Sequence, residues 1–235
     1  MSNWKNLLTK YLIEFVVIVL GITTSYFVES FRDEQWESKK EIQLLGELKI
    51  EFEDQLKQLE KRRIFFGKDY RIINFITSSR TDFEALKDDV KKPSHMKTAL
   101  FDMRYFSPPR DIYNSIVSEG LFKYIKSDQL KILLNKLYQT DYEYMMGNIT
   151  SEGIYLDNII FYLTENHPRF YNQLSSRKDI SLEKLIPLVR NIRNDEVLIS
   201  KLQFKENKMR IKLYFLDDYL AHVQEIRQEI THSGF

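Results

Sequence analysis

Cysteine is absent from all 235 residues. That rules out disulfides, thiolate zinc sites and cysteine nucleophiles, and it suits either side of a bacterial inner membrane. Glycine is scarce as well: seven residues, none clustered, leave no phosphate-cradling loop and no dinucleotide turn. Proline does not occur before Pro93, so nothing of that kind interrupts a helix in the first part of the chain. Charge of one sign is missing too. With 35 basic against 34 acidic side chains there is no basic excess to hold a phosphate backbone, and nucleic acid is not an expected partner.

What is present begins with Tyr11 to Val28, a stretch whose single charge is Glu14. Tyr11 to Phe31 matches the roughly 20 mostly apolar residues that cross a hydrocarbon layer about 30 Å thick. Trp4, Lys5 and Lys10 flank one end and Tyr26, Phe27, Arg32 and Trp36 the other, side chains that settle at headgroup depth. A cleaved signal peptide fits less well, because Glu14 directly precedes the apolar block and no Ala-x-Ala follows. A buried core helix is seldom apolar all round for so long, and Val16 to Leu20 leave no polar face for a helix lying in the membrane plane.

Three regions follow from this: a tail at 1–10, a transmembrane helix at 11–31 and a helical domain at 32–235 with long first and last helices and a break near 107–109. The expected fold is all-α, with one amino-terminal transmembrane helix continuing into a helical bundle. Leu45, Leu48, Phe52, Leu59 and Phe66 recur on one helical stripe, while Glu47, Lys49, Glu51, Asp54, Lys57, Glu60 and Lys61 read as its solvated exterior. Gly46 is the place where this helix is expected to break, and Asp69 to Ser78 reads as a second helix. Asp82 and Ser94 are candidate caps for short helices, and Ser107-Pro108-Pro109 is the strongest break. Beyond it, Arg110 to Ser118 ends near Gly120, and Ser127-Asp128 starts a long apolar helix. Gly147 and Gly153 bracket an expected turn, His167-Pro168 marks another break, and Ser181 opens a short helix restricted by Pro187. Met209, Leu213, Leu216, Leu220, Val223 and Ile230 form a heptad-like seam, with Arg227 at one apolar position; its expected partner is the Leu45 to Phe66 stripe of the same chain.

Candidate chemistry is sparse. Asp218 and His222 have the i, i+4 spacing of a shared metal, but a site needs a third ligand and none stands nearby. Arg227 and His232 match the Arg-x4-His spacing that resembles the nuclease motif of HEPN-type helical domains, yet five helical steps set them about 140° apart. His95 and His167 sit beside prolines in expected loops. No catalytic, cofactor-binding or metal-binding residue is assigned, and no cofactor is expected. Glu14 is different, because an ionisable group inside a span needs an interface, a partner or water. Gly21, Ser25 and Arg32 fall within about 20° of it in projection, so Glu14, Gly21 and Ser25 are the candidate transmembrane helix-contact residues.

Tyr11-Leu12, Glu14, Val17 and Gly21-Ile22, followed by the aromatic and acidic juncture Phe31 to Trp36, resemble the opening of a family of uncharacterised single-pass membrane proteins from Bacteroidota. Ile112-Tyr113, Ser118-Glu119-Gly120-Leu121, Ile125, Leu130 and Leu137-Tyr138 resemble that family's internal block. Ile13 stands where the family has glycine, and the run Thr23 to Ser25 is less apolar than usual. The resemblance implies an all-helical protein with one amino-terminal span in the bacterial inner membrane, and it brings no activity. Its basic amino-terminal tails imply a cytoplasmic amino terminus and a periplasmic helical domain; Lys5 and Lys10 against Arg32, Lys39 and Lys40 are too even to decide orientation alone. The expected role is a non-enzymatic assembly or interaction module, with the bilayer and a second copy or a protein as partners. The alternative is a membrane-tethered helical nuclease or hydrolase.

Overall fold

The computed structural model describes residues 2–80, 82–90, 93–175 and 182–232, with side chains of 2–9, 93 and 182 excepted. Ser181 and the flanking side chains of Trp4 and Lys5 therefore lie outside the described residues. The protein is all-α, and no strand occurs among the described residues. One helix dominates. α1 runs from Ser2 to Thr77, 76 residues, or about 114 Å at 1.5 Å per residue. The expected break at Gly46 and the separate helix at 69–78 are both absent, and helix already covers the tail at 2–10. A helix-interior glycine costs only about 1 kcal/mol against alanine. Leu44, Leu45, Leu48 and Phe52 bury fully on either side of Gly46 and outweigh that cost.

After α1, Asp82 caps a 3-10 turn, Phe83–Leu86, by accepting the Glu84 N–H. α2 is Pro93–Phe101, so Ser94 sits inside the helix and Pro93 opens it, where its missing N–H costs nothing. No helix covers 102–110, which contains Pro108-Pro109. α3 (Asp111–Ser118) ends at Gly120, whose φ of 68° is the left-handed position that favours glycine. A 3-10 turn, Leu121–Tyr124, leads to α4 (Asp128–Asn135), capped by the Ser127 hydroxyl accepting the Leu130 N–H. One π turn, Lys136–Asp141, joins α4 directly to α5 (Tyr142–Asn166).

The expected turn between Gly147 and Gly153 is thus the interior of α5. Gly153 serves approach and not turning: a Cβ there would lie 3.1 Å from Met103 Sδ, so its smallness lets the 102–110 segment close on α5. α6 is Pro168–Ser175, and α7 is Leu182–Ile192 with Pro187 accommodated inside it, held by the buried face Leu185, Val189 and Ile192. α8 (Glu196–His232) packs antiparallel to α1. Arg63 Nε donates to Asp217 at 2.6 Å, and Glu206 accepts from Asn74 at 2.7 Å and from Thr77 at 2.6 Å. From Leu213 to Ile230 the seam meets the α1 stripe within the chain, as its periodicity predicts; Leu45, Phe52, Leu59, Phe66, Leu216, Val223 and Ile230 share one core, while Met209 belongs to another.

A second core surrounds Ile72, Ile73 and Ile76 of α1, with α2, the far half of α5, α6, α7 and the start of α8. Every side chain from Lys10 to Glu37, by contrast, is exposed, and the first fully buried one is Leu44. The first packing contact of α1 with the bundle is Trp36 against Tyr124, ring centroids 5.3 Å apart. Removing residues 1–34 should therefore yield a water-soluble domain. Its circular dichroism should be helical with cooperative thermal unfolding, and an aggregated or strand-dominated product would refute the architecture.

Candidate functional site

The exposed apolar stretch of α1 is the first site to consider. It is long and apolar enough to cross a membrane, and none of it is buried by the protein. Glu14, Gly21 and Ser25 share a face of one unbroken helix, with open space within 4 Å of a Cβ placed on Gly21. Lys10 of the same helix stands 3.9 Å from Glu14. Among the described residues nothing else approaches this stripe, so it is presented whole to whatever surrounds it.

The second is a buried polar network that the sequence does not announce. Glu51, grouped above with the solvated exterior, is only 5 % exposed. Its carboxylate accepts the Ile112 N–H at 2.7 Å, the Tyr113 N–H at 3.4 Å and the Tyr138 hydroxyl at 2.8 Å. α3 has no side-chain cap of its own at Arg110, so Glu51 satisfies the free amides of its first turn from another helix, where negative charge is favoured. Gln55, one turn on, donates to Tyr138 at 2.7 Å and to the Pro109 carbonyl, and its Oε1 accepts from Tyr219 at 3.4 Å. Burial, and then the Glu51 charge, push the Tyr138 hydroxyl far up; burial and Asp141 do the same to Tyr219. Both phenols stay protonated donors, and the network positions the diproline segment.

The third is an ionic layer between the two cores. Glu152 and Lys212, with side chains 1 % and 3 % exposed, form an ion pair. Asp69 takes a fork of two hydrogen bonds from Arg104, and Lys205 donates to the Leu100 carbonyl at 3.0 Å and to that of Asp102 at 3.4 Å. Burial, assisted by the positive Lys212, lowers the Lys205 ammonium to about 8. Outside this layer an open groove of about 740 Å³ is lined by Arg62, Thr98, Tyr105 and Asp157. Arg104 is committed to Asp69, and the lining includes Arg62 as well as Asp102 and Asp157, so the groove carries no concentrated charge of one sign.

Of the two histidines expected in loops, His167 does stand outside a helix, between α5 and α6, whereas His95 is helical. His222 stands 2.8 Å from Lys136 Nζ through Nε2 and 2.6 Å from the Asp141 carboxylate through Nδ1, which turns the ring to Asp141, not to Asp218. His167, the C-cap of α5, stands 2.6 Å from Asp195, and His95 lies within α2. Arg227 reaches toward Glu53 at 3.9 Å, whereas His232 Nδ1 donates to the Gln228 carbonyl of its own helix at 2.8 Å. The Arg-x4-His pair thus faces two directions. Among the described residues no three metal-ligating side chains converge.

Set against known protein families, curated proteins and solved structures, the chain finds no match. The arrangement itself must carry the argument.

Two outcomes follow. Lys212→Met leaves a buried glutamate without its counter-ion and should cost about 3–5 kcal/mol by denaturant titration, while Glu152→Leu combined with Lys212→Met should recover most of that loss. Asp195 caps α8 through the Leu198 N–H and takes hydrogen bonds from Tyr162 and His167; burial opposes its ionisation, but those donors hold it down at about 2. Its folded value lies below the unfolded one of 3.8, so the stabilisation, about 2 kcal/mol, is present above about pH 4 and lost as pH falls toward 2. Asp195→Asn should lower stability at pH 7, and the gap from wild type should narrow at pH 2.

Proposed function

We propose that the protein is a membrane-anchored helical module that acts by assembling with a second copy or a protein partner, and not by catalysis. The observation that carries this is the continuity of α1: the helix that is apolar and exposed over 11–31 becomes, without a linker, the central strut of the bundle. Residues 11–31 span the bilayer once, in the bacterial inner membrane, with the amino terminus cytoplasmic and the bundle periplasmic. The sequence resemblance to a Bacteroidota membrane family accords with this anchoring.

Assembly is supported by the phase of the stripe. At 100° per residue, Gly21 lies about 140° and Ser25 about 180° from Phe52, which faces the bundle core. Two spans meeting through Glu14, Gly21 and Ser25 then carry their bundles on opposite outer sides, without collision. Gly21 gives the closest backbone approach and Ser25 a hydrogen bond across, the small-residue logic of helix contacts in lipid.

Carbonate extraction of membranes tests the anchor, and recovery of full-length protein as a soluble monomer would overturn it. Cross-linking in membranes tests assembly. Gly21→Leu should reduce the dimer population by an amount matching about 1 kcal/mol, while Val19→Leu, about 160° away, should change little. Identical patterns for wild type and both variants would reduce the span to a plain anchor. Paired carboxyl-terminal reporter fusions, one active only in the periplasm and one only in the cytoplasm, decide the orientation.

A further inference from the structure

We propose that the turn Leu121–Tyr124, together with Trp36, rests on the headgroup layer of the bilayer as a second membrane contact that fixes the tilt of the helical domain. This rests on the anchoring reading and adds a surface to it. α3 descends along α1: Ile112 binds Glu51, Glu119 and Leu121 line the same groove as Lys40 and Gln43, and Tyr124 reaches Trp36. Gly120, with its left-handed φ, ends α3 and leads into the turn, and the chain reverses after Tyr124. Lys126 leads back up, its N–H donating to Glu41 at 2.6 Å and its Nζ to Ser38 at 2.9 Å. Among the described residues, no hydrogen bond, ion pair or ring contact joins 10–35 to the bundle, so this turn is the part of the domain nearest the apolar stretch.

Depth and chemistry agree. Trp36 is five residues past Phe31, about 7 Å along the helix, and the headgroup layer is about 5–7 Å thick on each side of the hydrocarbon. Trp36 is 54 % exposed at that depth. Trp and Tyr seat their amphipathic rings at this interface, and Lys123, exposed with its ammonium 4.9 Å from the Tyr124 ring, is free to meet a lipid phosphate. Glu37, next to Trp36 in the chain, and Glu119, four residues before Lys123, are also exposed, which keeps the patch from net positive charge. The partner is therefore the phosphate layer of an ordinary zwitterionic bilayer, with no requirement for anionic lipid.

Because the chain has no cysteine, one introduced at a time carries a nitroxide at a single known site. Full-length Glu119→Cys, Tyr105→Cys and Leu20→Cys, labelled and reconstituted in phosphatidylcholine vesicles, are compared by collision with dissolved oxygen against a water-soluble nickel chelate. Tyr105 is 68 % exposed on the segment held at Asp69, about 50 Å further along α1 than Trp36, and serves as the aqueous reference. The oxygen-to-nickel ratio at 119 should exceed that at 105 several-fold, and Lys123→Glu should bring it back toward the value at 105. A ratio at 119 equal to that at 105, with the label at 20 deep in hydrocarbon, overturns the surface contact and leaves the anchor intact. A water-like label at 20 removes both. A high ratio at 119 that Lys123→Glu leaves unchanged overturns the lysine–phosphate contact.

Discussion

One unbroken helix, α1, carries both an uncovered apolar stretch and the stripe on which the bundle is packed. Over 11–31 it is mostly apolar and no described residue covers it; from Leu44 it is apolar along one stripe and buries that stripe against α8, α3 and α4. Because no residue between these regions leaves the helical conformation, they share an axis and a rotational phase. A change of tilt or rotation at Gly21 is transmitted to Phe52 as a rigid displacement. The antiparallel pairing with α8 stiffens this coupling, since Glu53 to Arg227, Arg63 to Asp217 and Thr77 to Glu206 tie the two long helices along their full overlap.

The ends of helices that would otherwise leave free backbone groups are closed by side chains from elsewhere. Glu51 closes the start of α3, and Arg193 donates to the Phe75, Ile76 and Arg80 carbonyls at the end of α1. Burial lowers the Arg193 guanidinium, which nonetheless stays cationic and packs over the Phe75 ring at 4.7 Å. The ionic layer complements these caps. Between the two apolar cores, Glu152 facing Lys212 penalises a shift of α5 against α8, because a displacement of one turn leaves both charges buried and unpaired. Such a pair adds little net stability and much specificity of register.

Periodicity made the long elements legible. The α1 stripe and the α8 seam could be paired from spacing alone, because burial of a repeating apolar face is a local property of the sequence. Glu51 and Gln55 could not be read that way. They flank Phe52 just as Lys49 and Lys57 do, and only the approach of the diproline segment and Tyr138 distinguishes the buried pair from the solvated one. Gly46, Gly147 and Gly153 were misleading for a related reason: glycine lowers local helix preference, but long-range burial decides. Lys205 and Lys212 sit in α8 between apolar positions, and nothing in spacing marks them as buried without knowledge of Glu152 and the carbonyls at the end of α2.

Among the described residues, the polar side chains that the fold buries contact other elements of the fold, and the Glu152 carboxylate has Lys212 as its counter-ion and no other partner. Glu51 and Gln55 hold α3 and the diproline segment, Asp69 holds Arg104, Asp141 orients His222, and Asn148 donates to the Lys208 carbonyl at 3.0 Å. Glu152, Lys205 and Lys212 make the layer between the cores. The features with no structural task lie at the other end of the molecule: an uncovered apolar helix with a small and polar stripe, and an aromatic and basic turn beside its exit. For a helix that is rigidly continuous with its domain, those two surfaces together define an orientation. In the proposed anchoring, the span sets where the domain stands, and the proposed contact some 7 Å above it sets which way the domain leans.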